Sequence, residues 1–289
     1  MKNSVLSLIR QVGGVIAFSV LVLACNDDDN ASMSTADQTS VDSKNNVAVT
    51  STTQEVLSVT SGAMSSNNTT SGGRSANGRT YSTNTCDPAV KFDFSINKND
   101  NTSFDHEGTI TIDYGDGSSC TDTNIRKGKI VDAFALTGKW SNMEFNTTEN
   151  ITLTGYYLDS AQVDGVIVST SKSTDASSSV EAKAVKITYA DGTTLSWKGN
   201  YTYTEEDDST EMTGTWTGVN RKGESFTANI TSKIVYIYSC RNSKTLEPVS
   251  GTIEEKTGDK TSIIDYGNGA CDNEYTVTKD GNTVKYTFD

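Results

Sequence analysis

The sequence has few of the residues that carry metal, acid–base or nucleophilic chemistry. Its 289 residues include one histidine, His106, only two prolines, and five cysteines that form no Cys-x-x-Cys pair. It also has no Gly-x-Ser-x-Gly, His-Glu-x-x-His or P-loop motif, the local signatures of common hydrolases and nucleotide-binding proteins. We therefore expect no metal site, no cofactor and no catalytic residue.

Basic residues are also scarce relative to acidic ones. Lysine and arginine total 24 against 37 aspartates and glutamates, which gives a formal net charge of −13 and a pI near 4.5. Nucleic-acid binding and polybasic membrane binding both need Lys or Arg to meet phosphate, so neither is expected. Hydrophobic residues make up 34% of the chain, which is too few for the whole chain to be packed core.

Residues 1–24 have the features of an export signal. A positively charged start is followed by the apolar run Val12 to Leu23, which is shorter than the roughly 20 residues of a membrane-spanning helix. The run ends in Val22-Leu23-Ala24-Cys25, which resembles a bacterial lipobox. The resemblance predicts lipidation of Cys25; the alternative is an ordinary secretory signal with an incidental cysteine.

The acidic segment after Cys25 bears on location. Asn26-Asp27-Asp28-Asp29 resembles the export tag of surface lipoproteins in the Bacteroidota, although it could also be a merely solvated acidic run. We expect an outer-membrane protein, held by its lipid anchor at the cell surface.

Residues 25–84 form the predicted linker. From about Asn30 to Asn84 the chain is dominated by Ser, Thr, Asn and Gly, which cannot bury enough apolar surface to offset chain entropy. We predict a disordered tether with a reach on the order of 40 Å.

Residues 85–289 form one predicted all-β domain. Apolar and polar residues alternate throughout, as in half-buried antiparallel strands. Turns are predicted at Asp164-Gly165, Asp191-Gly192, Arg221-Lys222-Gly223 and Asp280-Gly281. The expected fold is an antiparallel meander, as a curled sheet or a sandwich.

A repeated phrase marks two units of this domain, 86–137 and 240–289. Ile-Asp-Tyr-Gly-Asp-Gly at 112–117 precedes Cys120, and Ile-Asp-Tyr-Gly-Asn-Gly at 264–269 precedes Cys271. Once Cys25 is set aside, four cysteines allow three pairings. The similar spacing in the two units favours Cys86–Cys120 and Cys240–Cys271.

The repeated phrases also carry hard oxygen ligands for calcium. Their spacing is not that of an EF-hand loop, so turn formation explains them better, with Asp capping the turn and Gly at positive φ. The candidate ligands are Asp113, Asp116 and Asp122 in one unit, and Asp265, Asn268 and Asp272 in the other.

Two further features resemble sites but have simpler explanations. His106 stands between Asp105 and Glu107 with no nucleophile motif nearby, so a role as a general base is not expected. The cluster Glu205-Glu206-Asp207-Asp208 is predicted to be the solvated tip of a hairpin.

Aromatic residues alternate along the strands near the middle of the domain. Trp197, Tyr201 and Trp216 are a candidate ligand platform, although aromatics at alternate strand positions are also what a sheet core needs. We expect them to be core.

The lipobox, the two repeated phrases, Arg126-Lys127-Gly128-Lys129-Ile130 and Ile187-Thr188-Tyr189-Ala190-Asp191-Gly192 together resemble an uncharacterised family of Bacteroidota surface lipoproteins. The resemblance implies a location and an architecture but no activity. The leading hypothesis is a non-enzymatic β domain that binds or scaffolds an extracellular glycan or protein. The alternatives are a hydrophobic-ligand carrier with a curled-sheet groove and a carbohydrate-active enzyme.

Overall fold

The computed structural model describes residues 35–66, 79–81, 88–117, 126–158, 160–240 and 247–288. The predictions about the signal peptide, Cys25, and the Cys86–Cys120 bridge lie outside the described residues. In the helix α1, Thr35–Ser66, side chains are described for residues 44–61 and 63.

Among the described residues, one α-helix precedes a single sheet of fourteen strands. The elements are α1 Thr35–Ser66, β1 Arg79–Tyr81, β2 Ala89–Asn99, β3 Ser103–Asp113, β4 Arg126–Lys139, β5 Glu144–Leu158, β6 Ala161–Lys172, β7 Ser177–Thr188, β8 Thr194–Glu205, β9 Ser209–Val219, β10 Ser225–Ile237, β11 Pro248–Thr257, β12 Lys260–Asn268, β13 Glu274–Lys279 and β14 Asn282–Thr287.

The sheet is an antiparallel meander, because every strand pairs with its neighbours in chain order. The all-β prediction is confirmed. Turns form at Asp191-Gly192 and Asp280-Gly281 as predicted, and both residues of the second turn have positive φ. The predicted turn at Asp164-Gly165 is wrong. These residues lie inside β6 beside a break in register, where Gly165 has φ +147° and a β-bulge replaces the turn.

The sheet curls around α1. Cα atoms of α1 come within 8 Å of β3 and also of β12 and β13. Every side chain of α1 that the structure describes is buried or half-buried, and consecutive side chains of a helix point about 100° apart around its axis. A flat sheet could cover only one side of the helix, so the sheet bends around α1, which lies against its concave face.

The helix corrects the prediction of a disordered linker for residues 35–66. Its buried residues include Val49 and Val56 but also Asn46, Thr53 and Glu55, so no amphipathic stripe appears in the sequence. The threonine hydroxyls bond back to the helix: those of Thr50, Thr53 and Thr60 donate to carbonyls four residues earlier. Tertiary packing on several sides therefore stabilises a segment whose composition predicts disorder.

The second repeated unit contains the predicted Cys240–Cys271 disulfide, with the two Cα atoms 5.2 Å apart. Cys240 ends a short 3-10 turn that follows β10. The bridge thus ties the end of β10 to the segment between β12 and β13.

Among the described residues, no helix combines the length and the hydropathy that a membrane-spanning helix needs.

Candidate functional site

The predicted aromatic platform lies under α1. Trp197, Tyr201 and Trp216 are all nearly fully buried, and Trp216 is only 1% exposed. The rings of Tyr201 and Trp216 contact each other with centroids 5.8 Å apart. These side chains face the core rather than solvent.

Polar contacts join α1 to this part of the concave face. The Trp216 indole N–H donates to Asn46 Oδ1 over 3.1 Å, and the Asn46 amide donates to Glu255 on β11. Further along the helix, Glu55 accepts from Arg126 on β4, with 2.8 Å between Arg126 Nη2 and Glu55 Oε1. A polar helix therefore matches some of the polar atoms that the strands direct inward, although Trp197 Nε1 and the Tyr201 hydroxyl have no partner among the described residues.

The repeated turns are built alike. Asp113 Oδ1 accepts from the Gly115 N–H over 2.9 Å, and Asp265 Oδ1 accepts from the Gly267 N–H over 2.8 Å. Both glycines have positive φ. In the part of the chain that the structure describes, no group of three or more His, Cys, Asp or Glu could hold a metal ion. Asp122 lies outside that part.

The acidic cluster at 205–208 lies at the tip of the β8–β9 hairpin, as predicted. The Glu206 N–H donates to the Ser209 carbonyl over 2.8 Å. Glu205 accepts from the hydroxyls of Thr210 and Tyr238. The cluster closes a turn and binds the 3-10 turn Tyr238–Cys240 that follows β10.

A second region of the concave face combines buried polar side chains with half-buried aromatic rings. Directly paired residues of a sheet point to the same face, and one continuous row of pairs runs from β4 to β9. It consists of Asp132, Ile151, Ile167, Ala182, Gly199 and Trp216. Asp132 therefore shares the concave face with the aromatic core. We call the region around it the inner strip: Phe94, His106, Asp132, Phe134, Glu149 and Ser169.

Two carboxyl groups lie at the centre of the inner strip. Glu149 on β5 pairs directly with Phe134 on β4, and Asp132 is two residues from Phe134 on the same face. Asp132 and Glu149 are thus diagonal cross-strand neighbours, within reach of each other. Asp132 is 0% exposed, and neither of its carboxylate oxygens has a hydrogen-bond partner among the described residues. Glu149 is only half-buried.

Burial changes the acidity of both groups. Loss of water, together with a smaller contribution from the charge of Glu149, raises the pKa of Asp132 to about 8. Burial also raises the pKa of Glu149, while the hydroxyl of Ser169, opposite Glu149 on β6, acts against this rise. At pH 7 the pair therefore retains at least one proton, and Asp132 can be a hydrogen-bond donor.

Aromatic rings form one wall of the inner strip. Phe94 on β2 and Phe134 on β4 stack across β3, with centroids 6.4 Å apart. Between them stands Gly108, which pairs with both. A Cβ at Gly108 would meet Phe134 Cζ at 2.6 Å, so the absence of a side chain there lets the two rings approach.

His106 closes the strip on the side of β3. It is 1% exposed, and its ring contacts Phe94 edge-on with centroids 5.3 Å apart. Neither ring nitrogen has a hydrogen-bond partner among the described residues. Burial lowers its pKa, and nearby Asp105 acts in the opposite direction, so the imidazole is held in its neutral form.

No motif of the sequence indicates the carboxyl pair, but the alternation of residues along β4 and β5 does. In β4 the inward positions are Ile130, Asp132, Phe134 and Leu136, and in β5 they include Phe145, Glu149 and Ile151. An acidic residue in phase with buried apolar residues occurs on two consecutive strands. Only the register shows that the two acids are neighbours.

Comparisons with known proteins add no relative. No family model, no curated protein and no solved structure matches this chain.

Proposed function

We propose that this chain is a lipid-anchored, non-enzymatic binding module of the outer membrane, exposed at the cell surface, with the inner strip as its ligand contact. The anchor and location rest on Cys25, its lipobox and the acidic segment that follows. We also propose, from the same residues, that the chain is related to surface lipoproteins of the Bacteroidota. The partner is an extracellular glycan or protein fragment small enough to enter a concave surface.

One observation carries the choice between binding module and hydrophobic carrier. The chain's own polar helix already covers Trp197, Tyr201 and Trp216, and Asn46 takes the Trp216 hydrogen bond. A carrier would need that apolar face open to an acyl chain. The half-buried part of the concave face is instead the inner strip, where Phe134 and Glu149 are partly accessible.

A carbohydrate-active enzyme is the second candidate, because the inner strip holds a carboxyl pair with raised pKa values, as acid–base catalysis of glycoside hydrolysis requires. However, Asp132 is fully buried, which leaves only Glu149 open to a substrate. A binding role needs no second accessible carboxylate.

The experiment joins anchoring to binding. Cys25→Ser should release the protein from membranes and abolish incorporation of labelled fatty acid, because the acyl chains contribute roughly 0.8 kcal/mol per buried methylene. The mature chain would then be screened against glycans, fatty acids and small peptides, with hydrolysis products monitored. Binding without turnover that is lost in Glu149→Gln and kept in Glu144→Gln supports the proposal. Turnover, or fatty-acid binding unaffected by Glu149→Gln, would move the assignment to one of the alternatives.

A further inference from the structure

The inner strip contains two acids without a counter-ion, and one of them, Asp132, is fully buried. Charged groups in protein interiors are normally paired, because an isolated buried charge is costly. Glu55, the buried acid of α1, follows this rule through Arg126. Among the described residues neither Asp132 nor Glu149 forms an ion pair with a lysine or arginine, and no positive charge contributes to the acidity of either.

The surroundings would favour a positive charge. Phe134 pairs directly with Glu149, and its ring is extended by the stacked ring of Phe94. The faces of aromatic rings attract cations, most strongly where water is excluded. A group placed over Phe134 beside Glu149 would therefore meet a negative ring face and a carboxylate together.

His106 provides an independent observation. Its imidazole is 1% exposed, contacts the Phe94 that stacks on Phe134, and has two ring nitrogens without a partner among the described residues. As a neutral ring it can accept a hydrogen bond from an N–H donor. The strip thus combines half-buried Glu149, which a ligand can reach, with two unpartnered polar groups, Asp132 and His106, beneath the surface.

From these contacts we infer that the inner strip binds an organic cation, a primary ammonium or guanidinium group attached to an apolar body, with its charge at Glu149 and its apolar part on Phe134. This inference rests on the proposed binding function and names its ligand class. Half-buried Glu149 is the point of entry, and fully buried Asp132 lies behind it. A metal ion fits less well, since Asp132, Glu149 and Ser169 offer fewer oxygens than the six to eight that calcium takes.

Binding of the ammonium is coupled to the release of one proton from the carboxyl pair. The incoming ammonium keeps its three protons and its charge, and the carboxyl pair loses one proton to solvent as it becomes the counter-ion. The net charge of the site is unchanged, because one positive charge enters with the ammonium and one proton leaves. Binding should therefore release a proton, which a neutral ligand of the same shape cannot cause.

The test uses 2-phenylethylammonium and its neutral counterpart 2-phenylethanol on the mature chain. Calorimetry in two buffers of different ionisation enthalpy would measure affinity and proton release together. We expect the ammonium to bind at least about tenfold more tightly than the alcohol, with release of up to one proton near pH 7. Glu149→Gln should remove that preference, and Glu144→Gln, an exposed change on the same strand, should keep it.

Several results would overturn the inference. The first is equal affinity for the ammonium and the alcohol. The second is a preference for the ammonium that survives Glu149→Gln, and the third is no binding of the ammonium at millimolar concentration. Thermal melting of each variant separates loss of binding from loss of folding, and Phe134→Leu gives a second variant that alters the wall and keeps the carboxyl pair. A neutral glycan that binds through Phe134 regardless of Glu149 would leave the binding module intact and refute only the cation.

Discussion

Two regions of one concave face are built from similar residues but completed differently. Under α1, the buried acid and one of the aromatic side chains find partners in the same chain, as Glu55 does with Arg126 and Trp216 with Asn46, while the Trp197 indole and the Tyr201 hydroxyl have no hydrogen-bond partner among the described residues. In the inner strip, Asp132 and His106 are as deeply buried yet have no hydrogen-bond partner among the described residues. The difference lies in the kind of group: a buried carboxyl and a buried imidazole without a partner indicate function more specifically than aromatic side chains in a core do.

The largest expected effect is in the region under α1. Trp216→Ala should reduce the free energy of unfolding by about 3–5 kcal/mol, because it empties a fully buried site and leaves Asn46 without its donor. Urea unfolding would measure the loss. Trp140→Ala is the matched control, since Trp140 is only partly buried against a small separate cluster, and it should cost clearly less. Equal losses would mean that α1 adds nothing to the burial of Trp216.

The next largest effect is in the inner strip, where a substitution at Asp132 should stabilise the protein, relative to the native chain, as pH rises. Asp132 has a raised pKa of about 8 in the folded protein, against roughly 3.9 in an unfolded chain. Between these values the unfolded state ionises and the folded state stays protonated, so stability falls as pH rises, by up to about 1.4 kcal/mol per pH unit. The contribution is fully present below pH 4 and lost as pH approaches 8.

Asp132→Asn should remove most of this slope. Between pH 5 and pH 8 the variant should gain about 3–4 kcal/mol of stability relative to the native chain, because it lacks this slope over three pH units, while the cost of its buried amide is the same at both pH values. Urea titrations at both pH values would measure it. Asp93→Asn, on a side chain 52% exposed, should leave the slope unchanged. A native protein that gains stability between pH 5 and pH 8 through Asp132 would contradict the raised pKa.

The sequence predicted the sheet well and the interior poorly, and particular residues show why. Alternation at Leu195, Trp197, Tyr201 and Tyr203 follows from the period of a strand, so it requires no tertiary information. The helix at 35–66 could not be predicted in this way. Its many Thr, Ser and Asn residues disfavour a helix locally, and only the surrounding sheet makes those side chains buried partners.

The inner strip was missed for a related reason. Asp132 and Glu149 lie 17 positions apart in the chain, and neither forms part of a motif. Each does stand in phase with apolar neighbours, which identifies a buried acid on each strand. Their proximity depends on the β4–β5 register, in which Phe134 is opposite Glu149, and that register is set by the turn at the end of the hairpin rather than by either acid.

A smaller effect tests the contact between α1 and the strands. Asn46→Ala should cost about 1–3 kcal/mol, because it leaves the buried Trp216 N–H without an acceptor. Trp216→Phe removes the same donor from the other side. If the hydrogen bond matters, the double variant should be more stable than the sum of the two single losses predicts, with a coupling of about 1 kcal/mol. Strict additivity would show that the two side chains are energetically independent.

The smallest expected effect on stability is at Phe134, and there the two regions should differ most clearly. Phe134 is half-buried and stacks on one ring, so Phe134→Leu should cost at most about 1.5 kcal/mol, well below the loss at Trp216. Its effect on ligand affinity should be larger than its effect on folding, since the ring is part of the binding surface in our proposal. Thermal melting beside calorimetric titration with 2-phenylethylammonium measures both. If Phe134→Leu instead destabilises the fold as much as Trp216→Ala does, the wall of the inner strip is ordinary core, and the contrast between the two halves of the concave face fails with it.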